Sequence, residues 1–327
     1  MKHTIVGVRS ILKLVALLAF AVSALPLRAA DVYPQKPIQV IIPVGAGGDT
    51  DVNARVFGKY LEKELGQSII VVNTKGGGGT IGMKKVLDAA PDGYTVLFYH
   101  GEAMIPKLAG LVDYGLDAFQ MVGVGIMDNT TVLATHKTSK FKTMKEFASY
   151  AKAHPGEVEF GIMTGAYPHL VGIALEAAIG TKLNLVDVGG NAEKTVALKG
   201  RKIDIINTQY GLTKDYFISG DFICLGLLSI ERNPLFPDIA TTKESGFPME
   251  FNKFFFYAMP KGTPAAVVDR FSAAMKKVVA NPEYKAEAAK FFITPTYMNP
   301  TDATAYANNQ YKFFSQYQDL FRSGGKK

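Results

Sequence analysis

Short apolar runs alternate with longer segments whose apolar residues recur every three or four positions. The runs Ile38–Ile42, Ser68–Val72, Tyr94–Tyr99, Met121–Gly125, Thr131–Thr135, Ile203–Asn207, Phe222–Leu228 and Phe254–Met259 predict β-strands. The longer segments Asp51–Leu65, Thr80–Ala89, Thr143–Ala153, His169–Ala178, Ala192–Lys199, Pro264–Ala280 and Thr301–Arg322 predict helices. Strands separated by helices imply an α/β fold of mostly parallel sheets with helices on their faces. The alternation fails twice, at Val124–Thr131, where one strand follows another closely, and after Leu225–Ile230. Two crossings predict two discontinuous lobes with a cleft between them, residues 31–130 plus 229–327 and residues 131–228.

The first thirty residues stand apart. Lys2, Arg9 and Lys13 accompany an apolar run, Leu14 to Leu25, that ends in small residues before Asp31. This pattern predicts a secretory signal peptide cleaved after Ala29 or Ala30, because a membrane span needs about 20 apolar residues. Of 36 basic residues in the chain, four lie in this leader and none of the 29 acids does, which leaves 32 against 29 and a net charge of +3. So small an excess gives no ground for nucleic-acid binding. The lone Cys224, inside Phe222-Ile223-Cys224-Leu225, predicts a buried strand residue.

Two glycine-rich loops carry the candidate chemistry. Ile38–Ile42 runs into Pro43-Val44-Gly45-Ala46-Gly47-Gly48-Asp49-Thr50-Asp51, and Ser68–Val72 runs into a loop with G-x-G-x-x-G spacing at Gly77, Gly79 and Gly82. Glycine permits tight turns that leave backbone N–H groups pointing at an anion, and both loops precede a helix. Asp51 and Thr80 occupy expected N-cap positions. Paired loops of this kind beyond the ends of neighbouring strands point to an anion site. The phosphate-binding G-x-x-x-x-G-K-[ST] pattern is broken by Met83 after Gly82. G-x-S-x-G and H-E-x-x-H do not occur, and His100, His136, His154 and His169 are scattered, so neither a catalytic residue nor a metal site is predicted.

Tyr33-Pro34-Gln35-Lys36-Pro37-Ile38, Gly47-Gly48-x-Thr50-Asp51, Leu65-Gly66-Gln67 and Gly76-x-Gly78-Gly79-x-Ile81-Gly82 together resemble the Bug family. So do Ala89-Ala90-Pro91-Asp92-Gly93-Tyr94-Thr95, Phe236-Pro237-Asp238-Ile239-Ala240-Thr241 and Pro260-x-Gly262-Thr263-Pro264. This family comprises the periplasmic solute receptors of tripartite tricarboxylate transporters. The resemblance implies a cofactor-free, two-lobed receptor of the periplasmic-binding-protein type that closes on a small organic acid, a dicarboxylate, an aromatic carboxylate or an amino acid. It also implies a periplasmic location, a monomer, and membrane transporter subunits as partners.

Carried over residue by residue, it implies ligand contacts at Val44, Gly45, Ala46, Gly47, Gly48, Asp49, Thr50 and Asp51, with Gly76–Gly79 shaping the turn beside them and Gly79 at the site. His100, Thr164, Gly165, Tyr167, His169, Gly190, Asn191 and Thr208 complete the set. Departures bear on the ligand. Val188-Gly189-Gly190-Asn191 replaces the family's Pro-Tyr-Lys-Gly, removing an aromatic wall and a charge, and Thr208 stands where an Asp is usual. Asp49 and Glu102 add acids, either as solvated rim residues or as partners of a zwitterionic ligand. Phe254, Phe255, Phe256 and Tyr257 predict core packing, with one ring left available to an aromatic ligand. Two alternatives stay open: a periplasmic sensor with the same fold, and a nucleotide-binding α/β enzyme using Gly77–Gly82 with Glu102 at the ribose.

Overall fold

A computed structural model describes residues 33–323, so the expected signal peptide lies outside the described residues. The strands are β1 (Ile38–Ile42), β2 (Ile69–Asn73), β3 (Thr95–His100), β4 (Phe119–Asp128), β5 (Thr131–His136), β6 (Glu159–Ile162), β7 (Asn184–Asp187), β8 (Ile205–Gln209), β9 (Phe222–Leu227), β10 (Lys253–Pro260) and β11 (Thr294–Met298). The helices are α1 (Asp49–Leu65), α2 (Thr80–Leu87), α3 (Ile105–Leu108), α4 (Met144–Ala153), α5 (Tyr167–Ile179), α6 (Asn191–Lys199), α7 (Tyr210–Ile218), α8 (Ala265–Ala280), α9 (Pro282–Ala289), α10 (Pro300–Ser315) and α11 (Gln318–Ser323).

One sheet runs β11-β4-β10-β3-β1-β2 and the other β7-β6-β8-β5-β9. The alternation of strand and helix yields parallel pairs at β1–β2, β1–β3, β6–β7 and β6–β8. The strands that carry the chain between sheets behave differently: β10 pairs antiparallel with β3 and β4, and β5 with β8 and β9. Both sheets are therefore mixed rather than mostly parallel. Only Asn129 and Thr130 link β4 to β5, which lie in different sheets. The return passage, from β9 to β10, is the longer segment 228–252.

The core explains the aromatic run. All eight residues of β10 are buried, and successive side chains enter different clusters, Phe254 and Phe256 in one, Phe255 and Tyr257 in the other. A central strand covered on both faces has no outward position for a ring to leave. α1 buries Ala54, Phe57, Leu61 and Leu65 at helical spacing, and Gly66 ends it in the left-handed region with its N–H on the Glu62 carbonyl. Cys224 is half-buried in β9, and burial pushes its thiol up to about 12, which keeps it protonated.

Candidate functional site

Between the two sheets lies a cavity of about 580 Å³. On the first-lobe side, β1 delivers the chain into Pro43–Gly48 and then α1. Val44, Gly45, Ala46, Gly48 and Asp49 line the cavity, so much of what this wall presents is peptide backbone. Asp51 holds the loop from behind. Its carboxylate accepts from the Gly47 N–H at 3.0 Å, the Arg55 guanidinium at 3.0 Å and the Asn73 amide at 3.1 Å, and Asn73 also reaches the Val44 carbonyl. Burial alone would raise this carboxyl, yet these donors hold it below the usual range. Because α1 starts at Asp49 after Gly48, Asp51 is a third-position staple rather than the expected N-cap. Its bond also occupies the Gly47 N–H, so Gly47 shapes the loop and is absent from the lining, as are Thr50 and Asp51.

The second glycine loop is a wall of the cavity, not merely a neighbour to it. Gly76, Gly77, Gly78 and Gly79 all have positive φ, at 128°, 57°, 64° and 92°, and all four line the cavity beside Lys75. Thr80 is the first residue of α2 and caps nothing there, but its hydroxyl donates to the Gly77 carbonyl at 2.8 Å. The last glycine of the G-x-G-x-x-G has a packing role. A Cβ at Gly82 would lie 2.8 Å from both Pro43 Cα and the Thr74 carbonyl oxygen, so α2 rests directly on the exit of β1. A cradle for pyrophosphate is not needed to explain the spacing.

Beyond β3 the chain places His100 and Glu102 in the cavity wall, both almost fully buried. Burial, reinforced by the Lys253 charge, lowers His100 to about 3, which keeps it neutral. Its Nδ1 accepts the Glu102 N–H at 3.3 Å, which leaves Nε2 to donate to Glu102 Oε2, also at 3.3 Å. The Tyr167 N–H donates to Glu102 Oε1 at 2.7 Å. Each Glu102 oxygen thus already accepts one hydrogen bond and keeps a lone pair. Asp49 is likewise no rim residue. It pairs with Lys253 Nζ at 2.7 Å, with side chains only 14% and 8% exposed. Burial would raise the Asp49 carboxyl, but Lys253 overturns this and holds it at about 2. In the opposite sense, burial would lower Lys253, and Asp49 and Asp128 outweigh it and raise the ammonium. The same Nζ stands 5.2 Å over the Tyr167 ring.

The second-lobe wall is the start of α6 with the strand beside it. Gly190 and Asn191 line the cavity as expected, joined by Gly189, Lys194, and by Asn207 and Gln209 from β8. Lys194, in the first turn of α6, is 1% exposed, and its Nζ donates to the Asn207 carbonyl at 2.7 Å and the Asn207 side-chain oxygen at 3.0 Å. Burial, with the Lys253 charge adding to it, lowers this ammonium to about 7. The charge expected to be missing from the Val188–Asn191 loop therefore re-enters from the helix that follows.

Several expected contacts fall outside the lining. The Tyr167 hydroxyl donates to the Phe251 carbonyl at 2.6 Å, locking α5 to the segment that returns to the first lobe. His169 packs tilted against Phe321, ring centroids 4.6 Å apart, and its Nδ1 takes the Gly165 N–H at 3.3 Å, so it packs α5 rather than facing the cavity. Thr164 is exposed, with its N–H on Asp187 at 3.0 Å. Gly165 is buried at the lobe contact, where a Cβ on Gly78 would lie 3.5 Å from its carbonyl oxygen. Thr208 is buried and does not line the cavity, whereas its neighbours Asn207 and Gln209 do, as strand alternation requires. None of the four rings of 254–257 reaches the lining, but Lys253, one position earlier, does. Its signal was a lysine opening an otherwise apolar strand. Lys194, the fourth residue of a short polar helix, gave no such signal.

Residues 53–316 match the model of the tripartite tricarboxylate transporter family receptor. Protein BugT of Bordetella pertussis is 34% identical over 252 residues, covering 73% of this chain and 75% of its own. The structure of the periplasmic binding protein BugD superposes with a TM-score of 0.81 at 28% identity, covering 88% of this chain and 98% of BugD. MatC from Rhodopseudomonas palustris with bound malate shares the fold at a TM-score of 0.77 and 23% identity, over 89% and 99% of the two chains. Two mixed α/β lobes facing one cleft, and a family match across most of the sequence, converge: the chain belongs to the tripartite tricarboxylate transporter receptor family, the Bug-type periplasmic solute-binding proteins.

Proposed function

We propose that this protein is exported by its leader, residues 1–30, and captures a small organic acid in the periplasm for delivery to the membrane subunits of a tripartite tricarboxylate-type transporter. The observation that carries the reading is the cleft of about 580 Å³, walled by glycine backbone on one side and by the start of α6 with Lys194 on the other. Backbone N–H groups and one ammonium suit a carboxylate. MatC, a protein of the same fold, holds malate. Lobes of 31–130 plus 229–327 and of 131–228 close as a hinge about the two passages at Asn129–Thr130 and 228–252.

Calorimetry and thermal melting of the purified mature protein against mono- and dicarboxylates test this. An organic acid at 100 times its dissociation constant stabilises the fold by about 2.7 kcal/mol. A flat response to every acid in the set would sink the receptor reading. Small-angle scattering that stays unchanged on saturation with a bound acid would remove hinge closure alone.

A further inference from the structure

The charges around the cleft do not balance evenly. Asp49 is answered by Lys253 at 2.7 Å. Glu102 is held by His100 and the Tyr167 N–H, neither of them a cation, since His100 is neutral. Asp128 lies behind them, its oxygen bonded to the Thr130 N–H at 2.8 Å. Lys194 is the reverse case. Among the described residues it pairs with no carboxylate, and its two hydrogen bonds both go to Asn207. An ammonium has three donors, so one remains, on a side chain that is 1% exposed and lines the cavity. A buried cation with a spare donor is costly unless something supplies the counter-charge.

Resting on the receptor reading above, we infer that Lys194 is the specificity-determining cation and that the solute is a monocarboxylate whose far end carries a hydrogen-bond donor, not a second carboxylate. The single carboxylate docks on the third donor of Lys194, beside the first turn of α6. The other end meets the wall where Asp49 and Glu102 present acceptor oxygens and where Lys253 is already spent on Asp49. A second carboxylate there would face two acids with no free cation. An amide, hydroxyl or ammonium group would find acceptors. Glu193 and Lys75 also line the cavity, but both side chains are exposed and screened by solvent at its mouth.

The test is a matched series titrated into the mature protein by calorimetry: succinate against succinamate and 4-aminobutyrate, and adipate against 6-aminohexanoate. We expect at least one donor-ended monocarboxylate to bind ten-fold or more tightly than the dicarboxylate of its length. Lys194→Met should weaken that ligand at least 30-fold while the melting temperature holds or rises, because an apolar chain replaces a buried charge. A dicarboxylate that binds as tightly as its matched partner would overturn the inference and leave the receptor reading standing. So would undiminished affinity in Lys194→Met. If no member of either class binds, both readings fall. Should Lys194→Met fold poorly, Asn207→Leu, which removes the side-chain acceptor holding Nζ, must still change the ratio between the two classes at least three-fold. An unchanged ratio counts against the inference.

Discussion

The two walls of the cleft use opposite strategies. The first-lobe wall pairs Asp49 with Lys253, ties Glu102 to the neutral donors of His100 and Tyr167, and otherwise offers mostly glycine backbone. The second-lobe wall holds a buried ammonium with no acid to meet it. A compensated pair resists disturbance and discriminates weakly, whereas an uncompensated charge discriminates by what it lacks. The first wall sets shape and turns away a second carboxylate, and the second wall supplies the cation.

The sharpest way to break this contrast is to uncompensate the first wall. Lys253→Met strands Asp49, and with it Asp128, in a buried site, and should cost about 3–5 kcal/mol in urea unfolding. Adding Asp49→Asn should return most of that loss. If the single variant is as stable as wild type, the pair is not what holds the wall. Gly82→Ala tests rigidity at the same wall. Its Cβ would collide with backbone at 2.8 Å, and overpacking of this kind costs about 1–3 kcal/mol. Gly48→Ala, by contrast, meets nothing within 4 Å and has φ near −85°, so it should fold normally.

Acid acts mainly on the first wall. His100 has a folded pKa of about 3 against an ordinary 6.5, so the unfolded chain takes up the proton first and stability falls as pH drops from 6.5 toward 3. Asp49, at about 2 against 3.8, adds a loss of the same sign below pH 3.8. Burial raises Glu102 and Asp128, which act in the opposite sense. The difference between wild type and His100→Gln isolates the imidazole: their stabilities should converge between pH 7 and pH 4. Curves that stay parallel would show that His100 is not buried neutral.

Alkali acts on the second wall. Lys194, brought to about 7 by burial and by Lys253, loses its proton above that pH, and Glu102 and Asp49 are the acids that oppose the loss. Affinity for a carboxylate should fall by up to ten-fold per unit as pH rises from 7 to 9, a slope absent in Lys194→Met. The smallest effect is expected at His169→Ala, which removes packing on Phe321 yet leaves affinity within two-fold, as measured by calorimetry.

Most of the fold was legible in the sequence because its apolar runs are long and regular. The exceptions have physical causes. β6 and β7 are four residues each, shorter than a period can establish, and β11 contains Pro295. α9 begins at an Asn281-Pro282 start signal, short and local, in which Asn281 accepts from the Glu283 N–H at 2.8 Å. At the site, the glycine loops announced themselves, and Gly45, Gly48 and Gly79 do line the cavity. Lys194 and Lys253 did not. A lysine in a polar helix reads as solvated surface, and nothing local says that Asn207, thirteen residues on, will bury it. Asp49 and Glu102 were visible as anomalies, but their burial depends on partners more than sixty residues away.

The run Gly76–Gly79 has a consequence for how such a receptor can change. Four consecutive residues that need positive φ and have no side chains leave inheritance almost nothing to vary on that wall. A new solute preference must be written on the facing surface, in the first turn of α6 and the odd positions of β8. For anyone building a biosensor on this scaffold, the glycine wall is the chassis, and a library confined to Asn191, Lys194, Asn207 and Gln209 covers the part that can be retuned.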